Sequence, residues 1–270
     1  MNTASSPSTA SGVQVRHLDT LAEFEACMQV ESAVWGESDN LVPSSIFVVA
    51  HHTGGQVLGA YDGEKLVGFT LAMAGVRDSP FLHSHMTAVL PEYRDRGVGR
   101  ALKLAQREDA LARGIERVEW TFDPLELKNA HFNLERLGAI ARQYLPNVYG
   151  ITTSPLHAGL PTDRLVAEWW LASPRAVRCA AGRPLAAGVG AQHAAPAPAG
   201  RRGQPLRISV PANIGELKSA KPAEAVAVQA KLREQFTQHF AKGYAVTGFQ
   251  MAGDKAEYLL EPLADPQGAA

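Results

Sequence analysis

The stretch from residue 83 to residue 113 limits the possible folds most, because strand periodicity gives way to helix periodicity across a glycine-rich turn. The strand ends at Pro91, since proline removes a ladder donor. Apolar residues then recur at helical spacing from Val98 until Gly114 stops the helix. Four polar residues are assigned to the solvent side of this helix: Lys103, Gln106, Arg107 and Arg113.

The turn between this strand and helix, residues 94–100, combines two glycines with three arginines. The uncapped N–H groups of a helix's first turn and the positive end of its dipole favour an anion. A phosphate or pyrophosphate is the expected occupant, and a tight turn without a ligand is the alternative. A Rossmann turn would need a third glycine where Leu102 stands.

The turn fits the pattern V-x-P-x-x-R-x-x-G-x-G, as Val89, Pro91, Arg94, Gly97 and Gly99. It resembles the acyl-CoA-binding motif of the GNAT acyltransferase superfamily. The resemblance implies an α/β fold with a GNAT-like mixed central sheet flanked by helices. It also implies that acetyl-CoA or another acyl-CoA binds, with its pyrophosphate on the turn amides and its pantetheine along the preceding strand.

The cofactor-binding residues that the resemblance implies are Thr87, Ala88, Val89, Arg94, Asp95, Arg96, Gly97, Val98, Gly99, Arg100 and Asn129. Asn129 matches the family's pantetheine-contacting asparagine only approximately.

The other elements follow from local patterns. The predicted elements are a strand at 13–17, a helix capped by Asp19 or Thr20, a hairpin of 57–61 and 66–73, strands at 117–122, 139–144 and 165–171, a helix at 129–137, and, further on, a strand at 207–210, a helix at 224–241 and strands at 244–249 and 257–260. Residues 35–55 stay unassigned, and substrate specificity is expected there because the corresponding segment shapes the acceptor pocket in related acyltransferases.

Composition divides the chain into four parts. We expect a disordered tail at 1–12, an acyltransferase domain at 13–179, a flexible Ala/Gly/Pro-rich linker or loop at 180–204, and a C-terminal α/β extension at 205–270 that packs on the main domain.

With 270 residues, 46% of them hydrophobic, the chain can bury a substantial core. The net charge of -1 gives no whole-protein reason to expect nucleic acid or membrane binding, and we expect neither. Cys27 and Cys179 form neither a disulfide framework nor a metal-ligand spacing, and no signal peptide is recognisable. We expect a cytoplasmic protein without a metal; a homodimer is left open.

Direct transfer of an acyl group to an amine needs a proton acceptor, a polarised thioester carbonyl and a proton for the departing thiolate. The resemblance implies that a backbone N–H at 87–89 polarises the carbonyl. Candidate proton acceptors are Asp123, acting directly or through a water, and Glu119. The alternatives are an Asx turn before Pro124 for Asp123 and a buried structural role for Glu119.

Two histidines of the central strand, His83 and His85, alternate onto one face. His85 is a candidate proton relay, although a structural histidine is the more common case and a metal pair the least common.

The proton donor of many GNAT proteins, a tyrosine four residues before the glycine that ends the second helix, is replaced by Leu134. The proton for the thiolate must then come from Tyr144, Tyr149 or water. This departure also motivates an alternative function, a non-catalytic acyl-CoA sensor or interaction module.

The segments WTFDPL, NAHFNLERLGA and TDRLVAEWW resemble a GNAT branch associated with N-succinylamino acid metabolism. That resemblance implies a small-molecule amine such as an amino acid as acceptor, and an acetyl or succinyl-type group as the acyl group. A protein N-terminus is the weaker candidate acceptor.

Overall fold

The computed structural model describes residues 12–36, 41–151, 158–185 and 204–263. The chain divides into two compact units, residues 1–118 and residues 119–270. The fold is mixed α/β, with a sheet flanked by helices, which confirms the predicted fold class.

The first unit contains four strands that are neighbours in chain order. The pairs β1–β2, β2–β3 and β3–β4 are all antiparallel. Their bounds are β1 Gln14–His17, β2 Gln56–Asp62, β3 Lys65–Val76 and β4 Pro80–Val89. The predicted hairpin is confirmed, with Gly63 at a φ of 58° in its turn.

Three helices cover this part of the sheet: α1 Leu21–Trp35, α2 Ser44–His52 and α3 Val98–Ala112. Thr20 begins α1 with a capping box, in which its hydroxyl accepts from the Glu23 amide while the Glu23 carboxylate accepts from the Thr20 amide. The unassigned stretch contains α2, whose Phe47 ring lies 5.6 Å from the Phe69 ring of β3. That contact packs the buried side of α2, which carries Phe47 and Ala50, against the sheet.

The second unit contains six strands in the order β5, β7, β6, β9, β10, β8. Their bounds are β5 Arg117–Phe122, which crosses the division between the units, β6 Ile140–Leu145, β7 Arg164–Trp170, β8 Leu206–Pro211, β9 Tyr244–Ala252 and β10 Lys255–Pro262. The helices are α4 Leu127–His131, α5 Pro174–Ala180, α6 Ile214–Ala220 and α7 Pro222–Ala241.

The helix predicted at 129–137 is interrupted: after α4 the chain continues as a π-helix over Phe132–Arg136. The two short helices α5 and α6 were not predicted. Each is only seven residues long and carries too little periodic pattern to register in a sequence.

The C-terminal segment, defined as residues 204–263, extends the same sheet as the rest of the second unit. Strand β9 pairs with β6, where Val246 lies opposite Ala141. The rings of Tyr144 and Phe236 stack at 5.7 Å, and both residues are buried. Side chains before and after residue 204 therefore share one core.

The predicted tail at 1–12 and most of the predicted linker lie outside the described residues, so the four-part division stays a prediction. In the described part, no helix has the length and apolar character required to cross a bilayer.

Candidate functional site

The turn before α3 presents its backbone to solvent. Asp95 and Gly97 have left-handed φ values of 58° and 83°. Gly97 is the N-cap of α3, and no side chain caps the first turn of the helix. The amides at the positive end of the dipole are therefore not covered by a side-chain cap.

The positive charge of this turn is largely exposed. Arg94, Asp95 and Arg96 are exposed, and Arg100 is half-buried. The Arg94 Nε donates to the Val89 carbonyl at 3.4 Å. Val98 is buried and anchors the first turn of the helix in the core.

Gly99 is not required by the internal packing of the fold. A Cβ built on it would meet only Val89 Cγ2 at 3.8 Å, an ordinary contact. Its φ also lies outside the left-handed region. The missing side chain leaves space beside the turn in which a ligand can approach the backbone.

At the end of β4, two of the three backbone amides that are candidates for polarising the thioester carbonyl lie on the same side of the strand. The Leu90 amide donates to Val67 O of β3 at 3.0 Å. Because N–H groups alternate sides along an antiparallel strand, the Thr87 and Val89 amides point away from β3 and the Ala88 amide points toward it. The Thr87 hydroxyl also lies 2.9 Å from that of Thr70.

His85 is the extra residue of a β-bulge. Leu71 lies opposite Met86 and Ala72 opposite Ser84, so His85 has no partner position on β3. Its side chain is exposed, yet the surrounding protein desolvates the ring enough to lower its pKa below the ordinary value. The imidazole is therefore neutral at pH 7 and can accept a proton.

The prediction that Lys103 and Gln106 face solvent is wrong, because α3 buries both side chains. The Lys103 Nζ donates to Ser84 Oγ at 2.7 Å and to Gln106 Oε1 at 3.0 Å. Burial lowers the pKa of Lys103 to about 7. Lys103 and Gln106 lie seven and four residues before the buried Ala110, and therefore on the same side of the helix. Because a helix that packs on a sheet buries a face wider than its apolar residues mark, this spacing could have predicted the burial of both side chains.

Strand β5 is buried on both faces. Glu119 is 5% exposed and Trp120 is 8% exposed, so alternation does not divide the strand into a core face and a solvent face. This burial agrees with the structural alternative for Glu119. Thr121 is half-buried, and its hydroxyl lies 3.3 Å from the Tyr149 hydroxyl.

Asp123, at the end of β5, uses both carboxylate oxygens. Its Oδ1 accepts from the Leu125 amide at 2.7 Å, which is the Asx turn given as the alternative above. Its Oδ2 accepts from the buried Lys218 Nζ at 3.1 Å. These contacts favour a structural role for Asp123 over a role as proton acceptor.

The element after this turn carries Asn129, which is exposed on α4. Leu134, on the π-helix, is fully buried and has no proton to donate. Its carbonyl accepts from Arg175 Nη2 at 3.0 Å, while the Trp169 indole donates to Leu137 O at 2.8 Å. These donors satisfy carbonyls at the end of the helix.

In the described part of the chain, no group of three or more His, Cys, Asp or Glu side chains is arranged to hold a metal ion.

A family model described as the acetyltransferase (GNAT) family matches residues 18–139, which include β4, the glycine turn and α3. A comparison with curated proteins gives no match.

Among solved structures, the ribosomal-protein-S18-alanine N-acetyltransferase of Escherichia coli is 17% identical, with 58% of this chain and 92% of that chain covered at a TM-score of 0.48. The yncA protein of Salmonella typhimurium, in its structure with acetyl-CoA, is 17% identical, with 59% and 94% covered at a TM-score of 0.47. A GNAT-family acetyltransferase of Streptococcus pneumoniae is 17% identical, with 58% and 98% covered at a TM-score of 0.48.

The matched family model spans β4, the glycine turn and α3, so residues 18–139 are similar to the acetyltransferase domain of the GNAT family.

Proposed function

We propose that the protein is an acyl-CoA-dependent N-acyltransferase that transfers an acetyl or succinyl-type group to the amine of a small molecule such as an amino acid. The turn at 94–100 carries the proposal. It combines an uncapped helix start at Gly97, an open space at Gly99 and exposed arginines, which are the features that a pyrophosphate requires.

In the proposed reaction, the amine nitrogen attacks the thioester carbonyl carbon, a C–N bond forms and the C–S bond breaks. The Thr87 and Val89 amides, which point away from β3, are proposed to pair with pantetheine and to polarise the carbonyl. The family resemblance and the alternation of the strand support this assignment.

We assign proton acceptance from the attacking amine to His85. Its lowered pKa keeps the ring neutral, and the bulge exposes it. Glu119 stays an alternative acceptor, although it is buried. Asp123 is the weakest of the three because both its oxygens accept hydrogen bonds within the fold.

The proton for the departing thiolate is assigned to Tyr149. Its side chain is 56% exposed, with its hydroxyl 3.3 Å from Thr121 Oγ1. Tyr144 is buried and donates its hydroxyl proton to Asp163 Oδ2 at 2.7 Å. Burial and that carboxylate together raise the pKa of Tyr144, so it is the poorer donor.

Calorimetry with acetyl-CoA, succinyl-CoA and free CoA tests the cofactor and the acyl group in one experiment. We expect binding that is lost in Gly97→Glu, because the substitution adds a negative charge and a side chain at a φ of 83°. Absence of binding at millimolar ligand, or unchanged affinity in Gly97→Glu, would contradict the proposal.

A non-catalytic acyl-CoA sensor is the second candidate, because the buried Leu134 cannot serve as a general acid. A missing acid typically costs only about 10²- to 10⁴-fold in rate, so turnover does not depend on it alone. Amine-dependent release of free CoA thiol across a panel of amino acids supports the enzyme. Tight binding without release across that panel supports the sensor, and release only with intact protein acceptors would remove the small-molecule assignment.

A further inference from the structure

The C-terminal segment places a buried lysine against the turn that follows β5. Lys218, on α6, is 6% exposed. Its Nζ lies 3.1 Å from Asp123 Oδ2 and 2.7 Å from Glu126 Oε1. One cation thus joins the first and last residues of the turn at 123–126, although it lies more than 90 positions away along the chain.

A second contact from the C-terminal segment holds the middle of the same turn. The fully buried Tyr258, on β10, donates its hydroxyl proton to the Pro124 carbonyl at 2.6 Å. Proline has no backbone N–H to donate, so its carbonyl is the backbone group that can hold this position through a hydrogen bond.

The C-terminal segment also contacts the far end of the element that the turn leads into. The Phe249 amide of β9 donates to Glu135 Oε1 of the π-helix at 2.7 Å. The Phe249 ring packs edge-on against His131, with the ring centroids 6.5 Å apart. Residues 127–136, which comprise α4 and the π-helix, are therefore held at both ends.

We propose that the C-terminal segment sets the affinity for acyl-CoA through α4, with Lys218 as a positioning residue for Asn129. This inference rests on the proposed function and on the assignment of Asn129, exposed on α4, to the pantetheine-binding residues that the family resemblance implies. A five-residue helix followed by a π-helix has little stability of its own, so contacts outside the element set where Asn129 lies.

The form of the contact supports positioning over simple stabilisation. A buried ion pair adds little net stability compared with apolar side chains of the same volume, because desolvation offsets the attraction between the charges. Its geometry is restrictive, however, and here it fixes two carboxylates on either side of the turn with one ammonium group.

The test compares three variants of the full chain. The double variant Lys218→Met/Asp123→Asn removes both buried charges together, so that neither is left buried without its partner. Lys218→Arg keeps the charge. Lys221→Met is the matched control, since Lys221 lies three residues further along and pairs with Glu224 at the surface.

The dissociation constant for CoA, the KM for acyl-CoA, kcat and the thermal midpoint are measured for each variant. In the double variant we expect the dissociation constant and the KM to rise about tenfold, because a displacement on the order of 1 Å at a positioned group has effects of this size or larger. Lys218→Arg is expected to stay within about threefold of the wild type in both constants, and Lys221→Met to match it.

A purely structural role would lower the thermal midpoint and the active fraction while leaving the dissociation constant and the KM of the folded protein unchanged. That result would overturn the inference. Tyr258→Phe gives an independent measurement that decides the question if the double variant does not fold. It keeps the ring and removes only the bond to Pro124, and unchanged CoA affinity in it would also overturn the inference.

Failure of the wild-type protein to bind CoA would contradict the proposed function. Wild-type binding with no change in any of these variants would contradict only the role of the C-terminal segment.

Discussion

Two tyrosines five residues apart have different chemical capacities because their hydroxyl groups have different surroundings. The Tyr144 hydroxyl is buried and donates to Asp163, whose carboxylate also binds the Arg233 guanidinium at 2.9 Å. The Tyr149 ring is exposed and lies 5.5 Å from the Arg164 guanidinium. At the scale of single residues, the side chain's environment decides which of two identical groups can exchange a proton with a substrate.

His85 gives the sharpest prediction at this scale. We expect His85→Gln to lower kcat by about 10²-fold or more, because glutamine cannot accept a proton from the amine. In the wild type, kcat/KM should rise with pH through a pKa below the ordinary 6.5 of histidine and level off above it, since only the neutral ring accepts a proton. The measurement is the pH profile of kcat/KM for acyl-CoA, taken from initial rates of CoA release at varied acyl-CoA and a saturating amine concentration.

His52→Gln is the matched control for this variant, because His52 is an exposed histidine at the end of α2. A His85→Gln profile that keeps the acid limb of the wild type would remove His85 from the mechanism.

In the proposed function, the start of α3 serves both the fold and the acyl-CoA ligand. Val98 is buried in the core and Gly97 provides the left-handed N-cap, whereas Gly99 serves no internal contact that alanine would disturb. In the proposed function, the stability of α3 and its binding of acyl-CoA therefore rest on different residues of the same turn.

This separation predicts opposite effects of Gly99→Ala on stability and on binding. Because alanine has a higher helix propensity than glycine, we expect the free energy of unfolding to stay equal or to rise by up to about 1 kcal/mol. The added methyl group occupies the space beside the turn, so the dissociation constant for CoA should rise about tenfold or more. Denaturant titration and calorimetry on the same preparation measure the two effects.

Gly114→Ala is the control, because Gly114 lies just beyond the other end of α3 at a φ of 72°. It should cost roughly 1 kcal/mol of stability through backbone strain and leave CoA affinity unchanged. Unchanged affinity in Gly99→Ala would show that the open space at this position is not used by the ligand.

At the scale of the whole molecule, the response to acid depends on carboxylates that join separate elements of the first unit. Burial alone would raise the pKa of Glu23, but hydrogen bonds from Asp19, Arg16 and Thr20 outweigh it and lower that pKa to about 2. Burial would likewise raise the pKa of Asp109, but hydrogen bonds from His17, Gln56 and Arg113 lower it to about 2.

These shifts predict a loss of stability in acid. A carboxyl group whose folded pKa lies below its unfolded value contributes stability above the unfolded pKa, and that contribution is lost as pH falls through the folded pKa. The free energy of unfolding should therefore decrease between about pH 4.5 and about pH 2, by roughly 1–2 kcal/mol for each carboxylate after solvent screening. Denaturant titrations at several pH values measure this slope.

The double variant Glu23→Gln/Asp109→Asn should lose most of this slope. Glu108→Gln, at an exposed position beside Asp109, should keep it. An undiminished slope in the double variant would show that other groups control acid unfolding.

Several features of the fold could be predicted from local sequence because their causes are local. The hairpin turn around Gly63, the end of β4 before Pro91 and the N-cap of α1 at Thr20, one of the two predicted candidates, each depend on the dihedral preferences or hydrogen bonds of a few adjacent residues. The glycine turn could be predicted for the same reason, because glycine readily adopts a positive φ such as the 83° of Gly97.

Other features could not be predicted because their causes lie elsewhere in the chain. Periodicity marks which side chains are apolar but not how wide a face the sheet covers, so the burial of Lys103 and Gln106 on α3 escaped it. The bulge at His85 depends on the register with β3. The sequence alone therefore determined the elements, the glycine motif and the α/β class, through dihedral preferences and the pattern of apolar residues. Only the tertiary structure decided that Lys218 donates a hydrogen bond to the Asp123 carboxylate. These residues are far apart in the chain, so they meet only when packing brings their elements together and buries both side chains.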